Sequence, residues 1–197
     1  MIRTTNLAEL AILTLRDPQA AAQIVLGWNL PKEAIWTAIA LVSVIVTILS
    51  TLSNMILPVP APLNTIVSTP FIYFVIAAGG FVATVHALYW TGRMLGGHGP
   101  VEDLMVLLLW LQALRAVAQV GVILSLLIAP VLASFLVLFI AVATIWIFIH
   151  FISVALQLNS LTRAVAVLIV GALALVVGLS FLLSLIGVSA VGVPPSV

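Results

Sequence analysis

The chain has 197 residues, 64% of them hydrophobic and only 6% charged, with a net charge of +1. A soluble domain carries about 25% charged residues, so this composition excludes a solvated globular surface, and the small net charge excludes a field for nucleic acid. There is no cysteine, which removes disulfides, thiolate nucleophiles and sulfur-ligated metals.

Residues 1–33 differ from the rest. They lack the short apolar core and small-residue cleavage site of a signal peptide, so the chain is expected to retain them. Thr5 to Leu15 reads as an amphipathic helix, with Leu7, Leu10, Ile12, Leu13 and Leu15 apolar and Asn6, Glu9 and Arg16 polar. Asp17 then reads as the N-cap of a second helix with Pro18 at its first position. Ala20 to Leu26 continues that helix and Gly27 stops it. Such a segment is expected to lie in the membrane interface.

Five apolar runs follow, each longer than the roughly 18 residues that read as a spanning helix. They cover about 34–57, 66–90, 104–128, 131–156 and 164–186. Pro58, Pro60 and Pro62 form a rigid uncharged turn after the first, and Gly79-Gly80 offers a break inside the second. Gly96-Gly97-His98-Gly99 reads as a flexible turn leading into the third. Pro130 allows only a tight turn, so the third and fourth spans are antiparallel neighbours. Residues 187–197 form an uncharged tail. The expected fold is therefore all-α: a five-transmembrane-helix bundle with an N-terminal amphipathic interfacial helix.

Arg3, Arg16 and Lys32 precede the first span, Arg93 lies between the second and third, and Arg163 between the fourth and fifth. The alternate connections and the tail carry no Lys or Arg. The positive-inside rule then puts the N-terminus in the cytoplasm and the C-terminus outside, in the inner (plasma) membrane. Trp28, Trp36, Tyr89 and Trp90 fall at the same boundary as an aromatic belt.

Arg115 is the one basic residue inside a span. It lies about 16 Å into the third span at about 1.5 Å per residue, near the middle of a core about 30 Å thick. A central Arg costs about 3 kcal/mol on insertion scales. Gln112 and Gln119 share its helix face, and these three residues are the candidate binding site. No Asp or Glu lies inside a span, so an ion pair needs Glu102 or Asp103 to fold inward. Otherwise Ser43, Thr47, Ser50, Thr51 and Asn54 of the first span are expected to accept from the guanidinium.

His86, His98 and His150 lack metal-ligand spacing and are read as hydrogen-bonding interfacial residues. The glycine-rich turn lacks the Lys-Ser/Thr ending of a phosphate loop. No cofactor is expected. His98 with Glu102 and Asp103 is the only cluster able to do acid–base work, although two acidic residues in a first helical turn also complement its dipole. Small residues at helix-contact spacing, Gly80 with Thr84 and Ser180 with Ser184 and Gly187, argue for close helix packing.

Three segments carry a resemblance. The first is Leu15-Arg16-Asp17-Pro18 leading to Leu30-Pro31-Lys32-Glu33-Ala34. The second runs from Gly96 to Asp103 and on to Trp110-Leu111-Gln112 and Gln119. The third is His150-Phe151 with Leu161-Thr162-Arg163. Together they resemble the Yip family of five-span membrane proteins in its short bacterial form. The resemblance implies a five-helix bundle with a cytosolic N-terminus. Eukaryotic members of that family engage Rab-type GTPases, but this chain lacks their long soluble N-terminal region and the Asp-Leu-Tyr-Gly-Pro motif. GTPase recruitment is therefore not carried over. Arg115 stands where such proteins are expected to be apolar.

The expected function is non-enzymatic. The chain acts by association, as an accessory subunit or organiser of a membrane complex, with the bilayer and a partner membrane protein or second copy as its partners. The alternative is a small permease or lipid-handling protein that binds an anionic group at Arg115.

Overall fold

The computed structural model of the protein describes residues 6–56 and 69–185. Among them are seven helices: α1 (Leu7–Arg16), α2 (Pro18–Leu26), α3 (Lys32–Ile56), α4 (Pro70–Met94), α5 (Val101–Ile128), α6 (Pro130–Ala155) and α7 (Leu161–Leu185). Helices α3 to α7 are long and apolar enough to cross a membrane. The architecture is an all-α membrane bundle. Thr5, the Pro58–Pro62 turn, the expected start of the second span at Ile66 and the tail lie outside the described residues.

Local chemistry sets the helix ends. The Asn6 carboxamide oxygen accepts from the Ala8 N–H at 3.3 Å. The Asp17 carboxylate accepts from the Ala20 N–H at 3.0 Å, with Pro18 in the first turn of α2, as the sequence led one to expect. Two expectations are corrected. α4 continues to Met94, past the expected end at Trp90, because the Thr91 hydroxyl bonds back to the Ala87 carbonyl and Gly92 fits closely against Leu156. α4 also runs unbroken through Gly79-Gly80, where the Thr84 hydroxyl donates to the Gly80 carbonyl at 2.7 Å. In lipid an interrupted ladder leaves backbone groups without water to satisfy them, so an unopposed glycine pair stays helical.

The five long helices close a ring in the order α3, α4, α7, α6, α5 and back to α3. α4 also touches α5 across the ring, and α5 with α6 is the most extensive pairing, as the tight turn at Pro130 requires. Lys32 at the start of α3 lies 2.9 Å from Glu102 at the start of α5. Lys32, Arg93 and Arg163 thus gather at one end of the bundle, called here the basic end.

Packing is concentrated there. Val85 and Leu88 of α4, Leu104 and Leu107 of α5, Phe151, Ile152 and Leu156 of α6, and Ala164 and Val167 of α7 are all buried. Glycines make this density possible. A side chain at Gly99 would run into the Ala155 carbonyl, and one at Gly97 would come within 2.9 Å of the Gly92 carbonyl. The His98 and Gly99 N–H groups donate to the Leu156 carbonyl at 3.0 and 3.4 Å. The expected flexible turn is therefore a fixed brace between α4, α5 and the end of α6. The close-packing expectation also moves. An added Cβ at Gly79, Gly80 or Gly178 meets nothing within 4 Å, and Ser180 and Ser184 are exposed. The tight contacts are instead Gly92 on Leu156, Gly99 on Ala155 and Gly171 on Leu88.

α1 and α2 dock on α5 and α6. Leu10, Thr14, Ala21, Ala22 and Val25 are buried by this contact. The indole N–H of Trp110 donates to the Thr14 hydroxyl at 3.1 Å, and Trp28 meets Trp110 edge-on at 5.7 Å. The apolar set of α1 is divided. Leu10 faces the bundle, while Leu7, Ile12 and Leu15 stay exposed.

The brace predicts a contrast between glycines. Gly99→Ala forces backbone apart and should destabilise by about 1–3 kcal/mol, as overpacking does. Gly79→Ala enters open space in a helix and should stabilise by about 0.5–1 kcal/mol. Thermal unfolding of the purified variants in one detergent should rank Gly79→Ala at or above the parent and Gly99→Ala well below it. Equal midpoints would contradict the brace.

Candidate functional site

Residues three, four and seven apart on a helix share a face, so Gln112, Arg115 and Gln119 form one stripe on α5. That stripe looks toward the space between α3, α4, α5 and α6. A cavity of 470 Å³ there is lined by all three, together with Ser50 and Ser53 of α3 and Tyr73 of α4. The structure therefore brings together the three candidate site residues.

Two further cavities adjoin it. One of 270 Å³ shares Gln112 and Arg115 and reaches Thr84 of α4 and Thr144 of α6. The other, 580 Å³, shares Ser50, Ser53, Tyr73 and Gln119 and reaches Asn54 and Ser134. A separate, apolar groove of 340 Å³ lies along α5 and α6, lined by Leu136 and Phe139 and roofed by Ile12 and Leu15 of α1. Arg115 borders this groove as well. Its guanidinium sits where polar and apolar spaces meet.

Arg115 lies about 20 Å from either end of α5 at about 1.5 Å per residue. It is exposed to the open space, and among the described residues it has no hydrogen-bond or ion-pair partner. The expected acceptors on α3 make no hydrogen bond to it, and three of their hydroxyls donate elsewhere. The Thr47 hydroxyl donates to the Ser43 carbonyl at 2.8 Å, Thr51 to the Thr47 carbonyl at 2.9 Å, and Ser50 to the Tyr73 hydroxyl at 2.8 Å. Neither acid folds inward. Glu102 is held by Lys32, and Asp103 lines a recess beside Leu26 and Leu30. A guanidinium so placed retains its desolvation cost unless water or an anion compensates it.

The other candidates are not assembled into a site. His98 is exposed, and among the described residues no hydrogen bond joins it to Glu102 or Asp103. His86 and His150 each donate from Nδ1 to a carbonyl one turn back, Val82 and Trp146, both at 2.8 Å. Among the described residues no three His, Asp or Glu side chains come together as metal ligands.

Tyr73, Ser53, Thr84, Thr144 and Ser134 belong to the polar lining and are invisible as such in the sequence. Tyr73, Thr84, Thr144 and Ser134 are isolated polar residues inside apolar runs, Ser53 belongs to the polar stretch Ser50–Asn54, and only the ring order turns them to one space. Thr84 and Tyr73 do lie on one face of α4 with Ala77 between them. That periodicity was the one available signal.

A model of the Yip1 domain matches residues 12–182. The chain belongs to the Yip1 family. The match begins within α1 and ends in α7, so it takes in the second half of α1 and all of α2 as well as the spans. No enzymatic activity is known for this family. No curated protein and no solved structure matches the chain.

With no native cysteine, the Yip1 domain can carry single reporters. Cysteine at Gln119 should react with a membrane-impermeant maleimide through water in the cleft. Cysteine at the lipid-facing Leu138, which is 63% exposed, should resist it, because a maleimide needs thiolate and water. Equal resistance at both positions would show that the cleft is dry.

Proposed function

We propose that this Yip1-domain protein is a non-enzymatic membrane protein that binds an anionic phospholipid at Arg115, with the basic end of the bundle facing the cytoplasm. The observation that carries this is the mid-bundle guanidinium with no protein partner among the described residues, shared between a polar cavity and an apolar groove. Arg recognises phosphate through paired N–H donors. Gln112, Gln119 and Tyr73 supply further polar contacts on the same side. The groove between α5 and α6 is apolar and suited to an acyl chain. An amphiphile with a negative head matches both surfaces, whereas a small hydrophilic solute leaves the groove unused. The 470 Å³ cavity and the 340 Å³ groove that meet at Arg115 also fall in the range of about 300–1,000 Å³ usual for ligand sites.

Association with a partner subunit is the second reading. Gly79, Gly80 and Gly178 face open space, so an approaching helix would meet small residues there, as close helix contacts in membranes favour.

The test is native mass spectrometry of the purified protein from mild detergent with added phosphatidylglycerol. The parent should retain lipid, and Arg115→Leu should weaken retention at least about tenfold, the scale of a charged hydrogen bond. Arg115→Lys should keep part of it, since an ammonium is a point charge without the fork. Equal retention by the parent and Arg115→Leu would sink the lipid-binding reading. A stoichiometric protein partner that persists in Arg115→Leu would favour the accessory-subunit reading.

A further inference from the structure

Polar groups in the hydrocarbon core are costly singly, yet here they form a line. The three adjoining cavities share lining residues pairwise, Gln112 and Arg115 at one junction and Ser50, Tyr73 and Gln119 at the other. Along α5 they extend from Leu108 to Leu126, about 27 Å at about 1.5 Å per residue. The hydrocarbon core is about 30 Å thick. The seam is therefore almost as long as the barrier that a polar headgroup faces.

It is also open on one side. α4 and α6 make at most marginal contact. α7, which separates them at the basic end, contributes no lining residue to any of the three cavities. Beyond Gly171, the described residues of α7 up to Phe181 are exposed except half-buried Leu175. Ile76 of α4 and Val137 of α6, facing the cavity from opposite sides, are 52% and 50% exposed. With at most marginal contact between α4 and α6, that gap is the side on which the cleft would meet lipid. No Asp or Glu lies along the seam, so a phosphate meets a guanidinium at mid-depth and no opposing carboxylate.

We infer that the cleft is a path by which phospholipid headgroups cross between the two leaflets, the acyl chains of a lipid in transit lying in the bilayer outside the α4–α6 gap and not in the α5–α6 groove that suits a bound lipid. This rests on phosphate binding at Arg115 as proposed above and adds transit to it. Arg115 is the midpoint station. Gln119, Ser50 and Tyr73 replace headgroup hydration on one side of it, and Gln112 with Thr84 on the other. Binding at mid-depth must be loose enough to release, and a lone Arg flanked by neutral amides and hydroxyls meets that condition better than a charge cluster would. The movement needs no energy source and runs down whatever lipid asymmetry exists.

The experiment uses the full chain in phosphatidylcholine–phosphatidylglycerol vesicles carrying a trace of phosphatidylglycerol labelled on an acyl chain with a dithionite-sensitive fluorophore. Dithionite bleaches the outer leaflet, about half the signal, in protein-free vesicles. With the parent protein, bleaching should run well past half within minutes. Arg115→Leu and Gln119→Leu should each slow the second half at least about tenfold, while Leu138→Ala, outside the cleft, should match the parent. Folding of each variant is checked by its thermal midpoint. Loss of exchange in a variant whose midpoint matches the parent's supports the path. Bleaching that stops at half with the folded parent overturns it. So does exchange that is equal in parent and Arg115→Leu, and so does leakage of a trapped water-soluble dye, which indicates a pore. If lipid is retained at Arg115 while bleaching stops at half, binding stands and only transit falls. If retention is lost as well, both fall.

Discussion

The rest of the bundle depends on the contact of Gly97, His98 and Gly99 with the end of α6. The Leu156 carbonyl receives two backbone N–H groups from this turn, and Gly99 lies against the Ala155 carbonyl with no room for a Cβ. Backbone in contact with backbone cannot yield as a side chain can. It fixes where α4 ends, where α5 begins and how α6 returns. With Gly92 on Leu156 and Gly171 on Leu88 it draws the helices together at the basic end. Burial of α1 and α2 reinforces the same end, where they cover α5 and α6 and Trp110 joins Thr14 to Trp28.

A bundle clamped at one end need not close at the other. Lipid supplies no hydrophobic force between apolar helices, so packing there depends on shape and hydrogen bonds. Toward the opposite end, hydrogen bonding between α3 and α4 includes Ser50 with Tyr73. The described residues of α7 beyond Gly171 up to Phe181 are exposed, half-buried Leu175 apart. The cleft is the consequence, and the polar residues of α3 to α6 line it. Arg115 is tolerable there because its guanidinium faces the cleft and the neighbouring groove rather than acyl chains alone.

The proposed function rests on the mismatch between a positive group and its protein surroundings. A mid-bundle Arg held by a carboxylate would be a structural strut. One without such a partner among the described residues has binding capacity to spare, and phosphate is the anion that a membrane supplies in quantity. Membership of the Yip1 family establishes the class of protein. The cleft and Arg115 are features of this chain's own residues, and they carry the lipid reading.

Sequence alone determined the class, the five spans, the cap at Asp17, the tight turn at Pro130 and the shared face of Gln112, Arg115 and Gln119. These follow from composition, from runs long enough to cross a membrane and from a period of 3.6 residues, all local properties. Tertiary structure decided the ring order, the brace at Gly99 in place of a flexible turn, the unbroken α4 at Gly79-Gly80, the pairing of Lys32 with Glu102 and the lack of a hydrogen bond from Arg115 to the α3 hydroxyls, although Ser50 and Ser53 share its cavity. It also joined Tyr73, Thr84, Thr144 and Ser134 to the candidate site. Apolar helices of similar length match one another in many arrangements, so hydropathy carries no record of which faces meet. That choice depends on a few glycine contacts whose partners lie far away in the chain, Gly99 with Ala155 and Gly171 with Leu88, and distance in sequence hides them until the backbone is seen.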